Sequence, residues 1–235
     1  MTRVAVIADL HCGHKSGLSA TNIKFYAAYK RIVQKLLPVD ILICNGDMID
    51  GRGERSGGTE VFTTDRIEQC KLAEQAIMEW KATDIFMSYG TPYHTGKDED
   101  FEDIIRENVR AAWLRGLGEL TVNGCNINFK HKIGGSTVPY GRATAIAKER
   151  QWNLNWHLKG RQKLANIIIR SHVHYHSFCG GIGPDWLAIT TPCLQDFGSK
   201  YGERQCSGTI DHGVTVFDID SKGHFSWWVE KLIVK

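Results

Sequence analysis

Short continuous apolar runs alternate along this chain with stretches whose apolar residues recur every third and fourth position. Residues 3–8 (RVAVIA) read as a strand covered on both faces, because the run is short, unbroken and carries two valines. Over 21–37 the spacing of Phe25, Tyr29, Ile32, Val33 and Leu36 predicts a helix that Thr21 or Asn22 can cap and that ends before Pro38. A second strand follows at 39–44 (VDILIC), then a helix at 65–82 with Cys70, Ala73, Ile77 and Trp80 on one stripe. Strand 84–89 (DIFMSY) comes next. A helix at 100–115, with Phe101, Ile104, Ile105, Val109 and Ala112 facing a core, completes a β-α-β-α-β-α series. Such alternation predicts parallel crossover units.

The rhythm then changes. Residues 119–131 read as a hairpin turning at Asn123-Gly124, 142–165 as a helical stretch and 166–170 (NIIIR) as a strand. Further strands are predicted at 186–191, 214–219 and 225–234. No repeat, low-complexity tract or linker interrupts the pattern, which predicts one domain over 1–235, α/β in front and β-rich behind.

Composition narrows the class without deciding it. Hydrophobic residues make up 42% and charged residues 23%, with a net charge of +3, which excludes disordered, collagen-like and supercharged chains. No apolar run approaches the roughly 20 residues of a membrane span, so no membrane partner is expected. The first run gives way at once to Asp9-Leu10-His11, which does not suit a secretory signal. The 7 cysteines, at 12, 44, 70, 125, 179, 193 and 206, include no CxxC pair, which fits reduced thiols and a cytoplasmic location. The counts that stand out are 24 Gly and 10 His.

Histidines and aspartates gather at the strand ends. Strand 3–8 runs into Asp9-Leu10-His11, whose i, i+2 spacing sends carboxylate and imidazole to the same face. Strand 39–44 ends in Asn45-Gly46-Asp47 and strand 84–89 in Gly90-Thr91-Pro92-Tyr93-His94. The hairpin ends at His131, and strand 166–170 runs into Ser171-His172-Val173-His174. Carboxyl ends of strands are where open α/β sheets collect ligands. A lone His or a Gly-Asp pair is ordinary loop chemistry, but five consecutive strand ends each delivering Asp or His predict a metal site. Two Asp and four His without thiolate suit Mn, Fe, Zn or Ni, and six ligands exceed one tetrahedral ion, which points to two metals.

DLH, then GD after a helix, a glycine turn, a single His and a final HxH together resemble the calcineurin-like metallophosphoesterase superfamily, from residue 3 to about 174. The resemblance implies an α/β, four-layer fold in which a two-sheet β-sandwich is flanked by helices. It implies that Asp9, His11 and His174 hold a first metal, that His131 and His172 hold a second, and that Asp47 bridges them. It implies phosphomonoester or phosphodiester hydrolysis by attack of metal-bound hydroxide, with two divalent ions as cofactor and manganese the first choice. Where the family has Gly-Asn-His, this chain has Gly90-Thr91-Pro92-Tyr93-His94. Either Thr91 or His94 therefore takes over from the usual Asn, and His94 is the candidate general acid.

The substrate is less legible. Arg52 and Arg55, in the glycine-rich loop after Asp47, are candidate phosphate contacts together with Thr91; a mobile, solvated loop is the alternative. Residues 142–170 carry Arg142, Lys148, Arg150, Lys159, Arg161, Lys163 and Arg170 against Glu149, with Trp152 and Trp156 one helical turn apart. That stretch fits either a single-stranded nucleic-acid surface or a charged helix face with two core tryptophans, which leaves a nuclease as an alternative. Acidic residues at 97–103 (KDEDFED) read as a solvated helix start. His14 and His176 flank the motifs as neighbours of ligands, while His157, His212 and His224 belong to no constellation, and Cys12 reads as a packed thiol. Gly46-Asp47-Met48-Ile49-Asp50 also resembles protein phosphatase motifs, although the arginine expected straight after the second aspartate stands here at Arg52. The reading from another class is a non-catalytic scaffold on the same fold.

Overall fold

The computed structural model describes residues 1–97, 99–181, 186–198 and 210–234, with the Arg55 side chain outside the description. Cys206 also lies outside the described residues.

Sheet one is built by the front of the chain. Strands β1 (Thr2–Ile7), β2 (Ile41–Asn45), β3 (Asp84–Ser88) and β4 (Trp113–Arg115) run parallel, joined by α1 (Ile23–Leu36), α2 (Arg66–Met78), the short α3 (Pro92–Thr95) and α4 (Glu102–Asn108). Sheet two comprises β5 (Gly118–Val122), β6 (Cys125–Phe129), β7 (Ile167–Arg170), β8 (Ser177–Gly180) and β9 (Leu187–Thr190), with α5 (Arg142–Leu158) between β6 and β7. The tail strands β10 (Gly213–Ile219) and β11 (Phe225–Lys231) return to the first sheet, giving the orders β11-β10-β1-β2-β3-β4 and β5-β6-β7-β9-β8. Both sheets mix parallel and antiparallel pairs.

Alternation along the strands explains the layers. Val4, Val6, Ile41 and Ile43 point one way and pack on Ile127, Phe129, Ile167, Ile169 and Ile189 of sheet two, which forms the sandwich core. Ala5, Ile7, Leu42 and Cys44 point the other way, under Phe25, Tyr29 and Ile32 of α1 and Ala73 and Ile77 of α2. Ile168 and Ala188 on the far face of sheet two pack against Ile146 of α5. The result is the expected α/β four-layer sandwich of helices, sheet, sheet and helix.

Three predicted boundaries differ. The predicted 100–115 helix stops at Asn108, because Arg110 turns to a φ of 55° and Trp113–Arg115 then add an edge strand beside β3. The 142–165 stretch is helical only to Leu158, where Gly160, at a φ of 66°, ends it. Asn22 occupies the N-cap of α1 but makes no side-chain cap; its amide donates to Asp196 instead. Strand β8 and helix α3 are additions that no run of apolar residues signals.

Candidate metal centre

The strand ends are stitched together before any side chain is considered. Beyond β1 and β2 the backbone pairing continues, with Asp9 N donating to Gly46 O at 3.0 Å and His11 N to Asp47 O at 3.1 Å. Ser171 N donates to His131 O at 2.8 Å, which ties the ends of β6 and β7. Buried Asn45 joins the two sheets: its amide donates to Ser171 Oγ at 2.6 Å and to Lys130 O at 3.2 Å, while its oxygen accepts from Ser88 Oγ at 2.7 Å.

Asp9, His11, Asp47, His172 and His174 all hold positive φ, between 46° and 74°. Non-glycine residues adopt this region at a cost of order 1–3 kcal/mol each and cluster at functional sites. Gly46, at a φ of 81°, meets the same turn requirement and more: a Cβ there would stand 2.6 Å from the His131 ring. A Cβ on Gly90 would collide with the Asp47 backbone nitrogen.

Two groups of side chains result. In the first, the Nε2 atoms of His11 and His174 face each other at 3.2 Å, and Asp9 Oδ1 lies 3.3 Å from His174 Nε2 and 4.0 Å from His11 Nε2. In the second, Asp47 Oδ2 lies 2.8 Å from His131 Nε2 and 3.9 Å from His172 Nδ1. Asp9 Oδ1 is also 3.8 Å from His131 Nε2, so the groups adjoin. All six predicted ligands are therefore brought together.

The outer hydrogen bonds fix which nitrogens are bare. His131 Nδ1 donates to the Asn45 carbonyl at 2.8 Å and His11 Nδ1 to Asp50 Oδ1 at 3.0 Å, so Nε2 is the atom that each ring turns toward the centre. Asp9 Oδ1 and His131 Nε2 are buried without a hydrogen-bond partner among the described residues. Unsatisfied buried polar atoms are expensive. Nitrogen and oxygen ligands about 2.0–2.2 Å from an ion sit roughly 3 Å apart on it, close to the spacings here. Borderline divalent ions fit this donor set and these orphaned atoms.

Electrostatics points the same way. Burial opposes charge on Asp9 and Asp47, yet the surrounding imidazoles hold Asp9 below and Asp47 well below the usual carboxylate range. Burial also opposes a charged His131, but Asp47 and Asp9 outweigh it and raise the ring to about 9. His11 goes down to about 4, through burial and the nearby His94. The centre attracts positive charge while keeping one of its ligands neutral.

The unusual turn divides its work between two residues. Thr91 N and Oγ1 both donate to the Asp47 carboxylate, and Oγ1 lies 3.3 Å from His172 Nδ1, in the second group. His94 stands on the opposite side, its ring centroid 4.6 Å from that of His11 and its Nδ1 donating to Asp50 O at 3.0 Å. His11, Asp50 and His94 form a third cluster with metal-ligand spacing. His94 also lines a cavity of about 330 Å³ together with Arg52, Arg66, Tyr93 and Lys97.

Sequence reasoning missed three contributors. Asp50, three residues after Asp47, is held ionised against burial by His11 and His94; its place in the quoted Gly46–Asp50 motif was the available signal. Asn45 precedes that motif and gave none. Glu102 lies in the acidic stretch read as solvated, but it is fully buried and accepts Met48 N at 3.0 Å and Gly90 N at 2.7 Å. The loop after Asp47 is anchored rather than free at its start, where Gln69 bonds both the amide and the carbonyl of Gly51. Arg52 is exposed at the cavity. The Arg55 contact falls on a side chain outside the description.

His14 accepts from Ser16 N, and His176 packs beside Phe178 and Trp227, so neither joins the centre. Cys12 is buried with its thiol donating to Leu18 O. Trp152 and Trp156 are exposed, correcting the core reading. Arg170 is buried against Glu149, so it adds nothing to a surface charge.

No protein-family model matches the chain, and no curated protein sequence does either. Solved structures do. A novel archaeal phosphodiesterase superposes over 97% of this chain and 100% of its own at 14% identity, with a TM-score of 0.53. The purple acid phosphatase PPD1 of yellow lupin (Lupinus luteus) matches 98% of this chain and 51% of its own at 10% identity, with a TM-score of 0.56. Zinc-complexed Vps29 from Entamoeba histolytica covers 99% of this chain and 100% of its own at 13% identity, with a TM-score of 0.47. Two mixed sheets between helices thus give this chain the same fold as the archaeal phosphodiesterase and the lupin purple acid phosphatase.

Proposed function

We propose that the protein is a metal-dependent phosphoric ester hydrolase that binds two divalent ions, manganese first among them, and cleaves a phosphomonoester or phosphodiester. The convergence of two carboxylates and four imidazoles at buried strand ends, where Asp9 Oδ1 and His131 Nε2 meet charged neighbours without forming a hydrogen bond, carries this reading. Asp9, His11 and His174 would hold one ion, His131 and His172 the other, with Asp47 shared between them. Bound ions supply Lewis-acid charge for the phosphoryl oxygens and lower the pKa of water.

The chain's own residues do the rest. Asp50 fixes the tautomer of His11 and, through its carbonyl, that of His94. With Nδ1 engaged, His94 presents Nε2 to the leaving oxygen as general acid; its ring is raised above the ordinary value, against burial, by Asp47 and Asp50. Thr91 holds Asp47 by two hydrogen bonds and offers its hydroxyl beside His172. Arg52 reaches the substrate from the cavity rim. Six free thiols among the described residues support a reducing, cytoplasmic setting. Among those residues no helix is long and apolar enough to cross a membrane.

A manganese-supplemented assay with p-nitrophenyl phosphate, bis(p-nitrophenyl) phosphate and single-stranded DNA and RNA tests the reading. Turnover of at least one ester, abolished by Asp47→Asn, is expected. No turnover of any of them in protein that has bound metal contradicts hydrolysis and favours a scaffold.

A further inference from the structure

Helix α5 carries two tryptophans that its own fold does not use. Trp152 is 56% and Trp156 41% exposed, whereas the buried side of the helix consists of Ile146 and Asn153. Contiguous exposed apolar surface rimmed by polar residues marks interaction sites. Lys148, Trp152 and Trp156 follow one another at four-residue steps, so they form a single stripe. Lys159 extends it, with Nζ 5.2 Å from the Trp156 ring centroid.

The charge around the stripe has one sign. Lys148, Lys159 and Arg161 are exposed and lack ion-pair partners among the described residues. The one acid of the helix, Glu149, is spent on Arg170 at 2.7 Å and Lys130 at 3.0 Å. Gln151 and Asn155, hydrogen-bonded to each other at 3.1 Å, add neutral polar groups on the row beside the aromatics. An acidic protein surface would match the cations but has no use for two flat rings among them.

We infer that this stripe binds single-stranded nucleic acid, with bases stacked on Trp152 and Trp156 and phosphates on Lys148, Lys159 and Arg161. Paired bases offer no free faces to the two rings, so a duplex gains only the contacts to its phosphates. The stripe is distinct from the metal centre. Helix α5 begins near the rim, where the Arg142 guanidinium lies 4.6 Å from the Tyr175 ring, and Trp152 stands ten residues along, about 15 Å away. The inference does not depend on hydrolysis.

Fluorescence anisotropy of the full chain with a labelled oligothymidylate of about a dozen nucleotides tests it, the oligonucleotide being checked for intactness on a gel. Binding is expected, weakening steeply between about 50 and 200 mM salt. Trp152→Ala with Trp156→Ala lowers affinity at least about tenfold. Lys148→Gln with Lys159→Gln flattens the salt dependence, and both pairs keep the native circular dichroism and thermal unfolding midpoint. Absence of binding, or equal binding by the tryptophan variant with native circular dichroism, overturns the inference. So does binding to anionic phosphatidylserine vesicles without binding to the oligonucleotide, which would reassign the stripe to a lipid surface.

Discussion

His11 and His174, 163 residues apart in sequence, place their Nε2 atoms 3.2 Å from each other. His11 has already donated its Nδ1 proton to Asp50, so two imidazole edges converge beside a carboxylate with one proton or one cation to share. Asp50 is the outer support of that arrangement. Asp50→Asn is expected to lower metal affinity about 10- to 100-fold, as loss of such supports does elsewhere. Calorimetric titration of manganese into the metal-free protein measures it, and an unchanged affinity would remove Asp50 from the centre.

His94 is predicted to act on the leaving group. His94→Ala should lower kcat about 10²- to 10⁴-fold on an alkyl phosphate ester, and far less on a nitrophenyl ester, whose leaving group needs no proton. Equal losses on both substrates would instead make His94 a substrate-binding or positioning group.

The pH response follows from His131, whose ring rises to about 9 in the metal-free centre from an unfolded value near 6.5. A raised histidine stabilises the fold fully below about 6.5 and loses that contribution as pH climbs through about 9. Metal needs the same nitrogen deprotonated, so affinity for metal increases over that window. The gap in Tm between manganese-loaded and metal-free protein should therefore widen from about pH 6.5 to 9. A gap that narrows would contradict the assignment of His131.

Glu102 holds the two turns that carry Asp47 and Thr91, one carboxylate oxygen to Met48 N and the other to Gly90 N. Glu102→Gln keeps the shape but sets an NH2 against one of those amides. A cost of about 1–3 kcal/mol is expected, a fall in Tm of roughly 2–4 °C per kcal/mol. Thermal unfolding followed by circular dichroism measures it.

Much of this was legible because strand ends are read by local rules. The runs at 3–8, 39–44 and 166–170 fixed where Asp9, Asp47 and His172 would emerge, and Gly46 marked a turn that only glycine fits against the His131 ring. What escaped depends on distant packing. Whether Glu102 caps a helix in water or braces two turns in the interior is decided by which loops close over it, not by its neighbours in KDEDFED. Asn45 likewise looks like turn chemistry until β6 and β7 arrive across the sandwich. Trp152 and Trp156 showed the reverse error, apolar side chains at helical spacing that face water.

Metal content tests the central claim most directly. The wild-type chain, loaded with manganese and freed of excess by gel filtration, should retain about two ions per molecule by inductively coupled plasma mass spectrometry. Asp47→Asn should retain fewer while staying folded. A wild-type chain that retains no manganese, iron, zinc or nickel would contradict a metal centre at these strand ends.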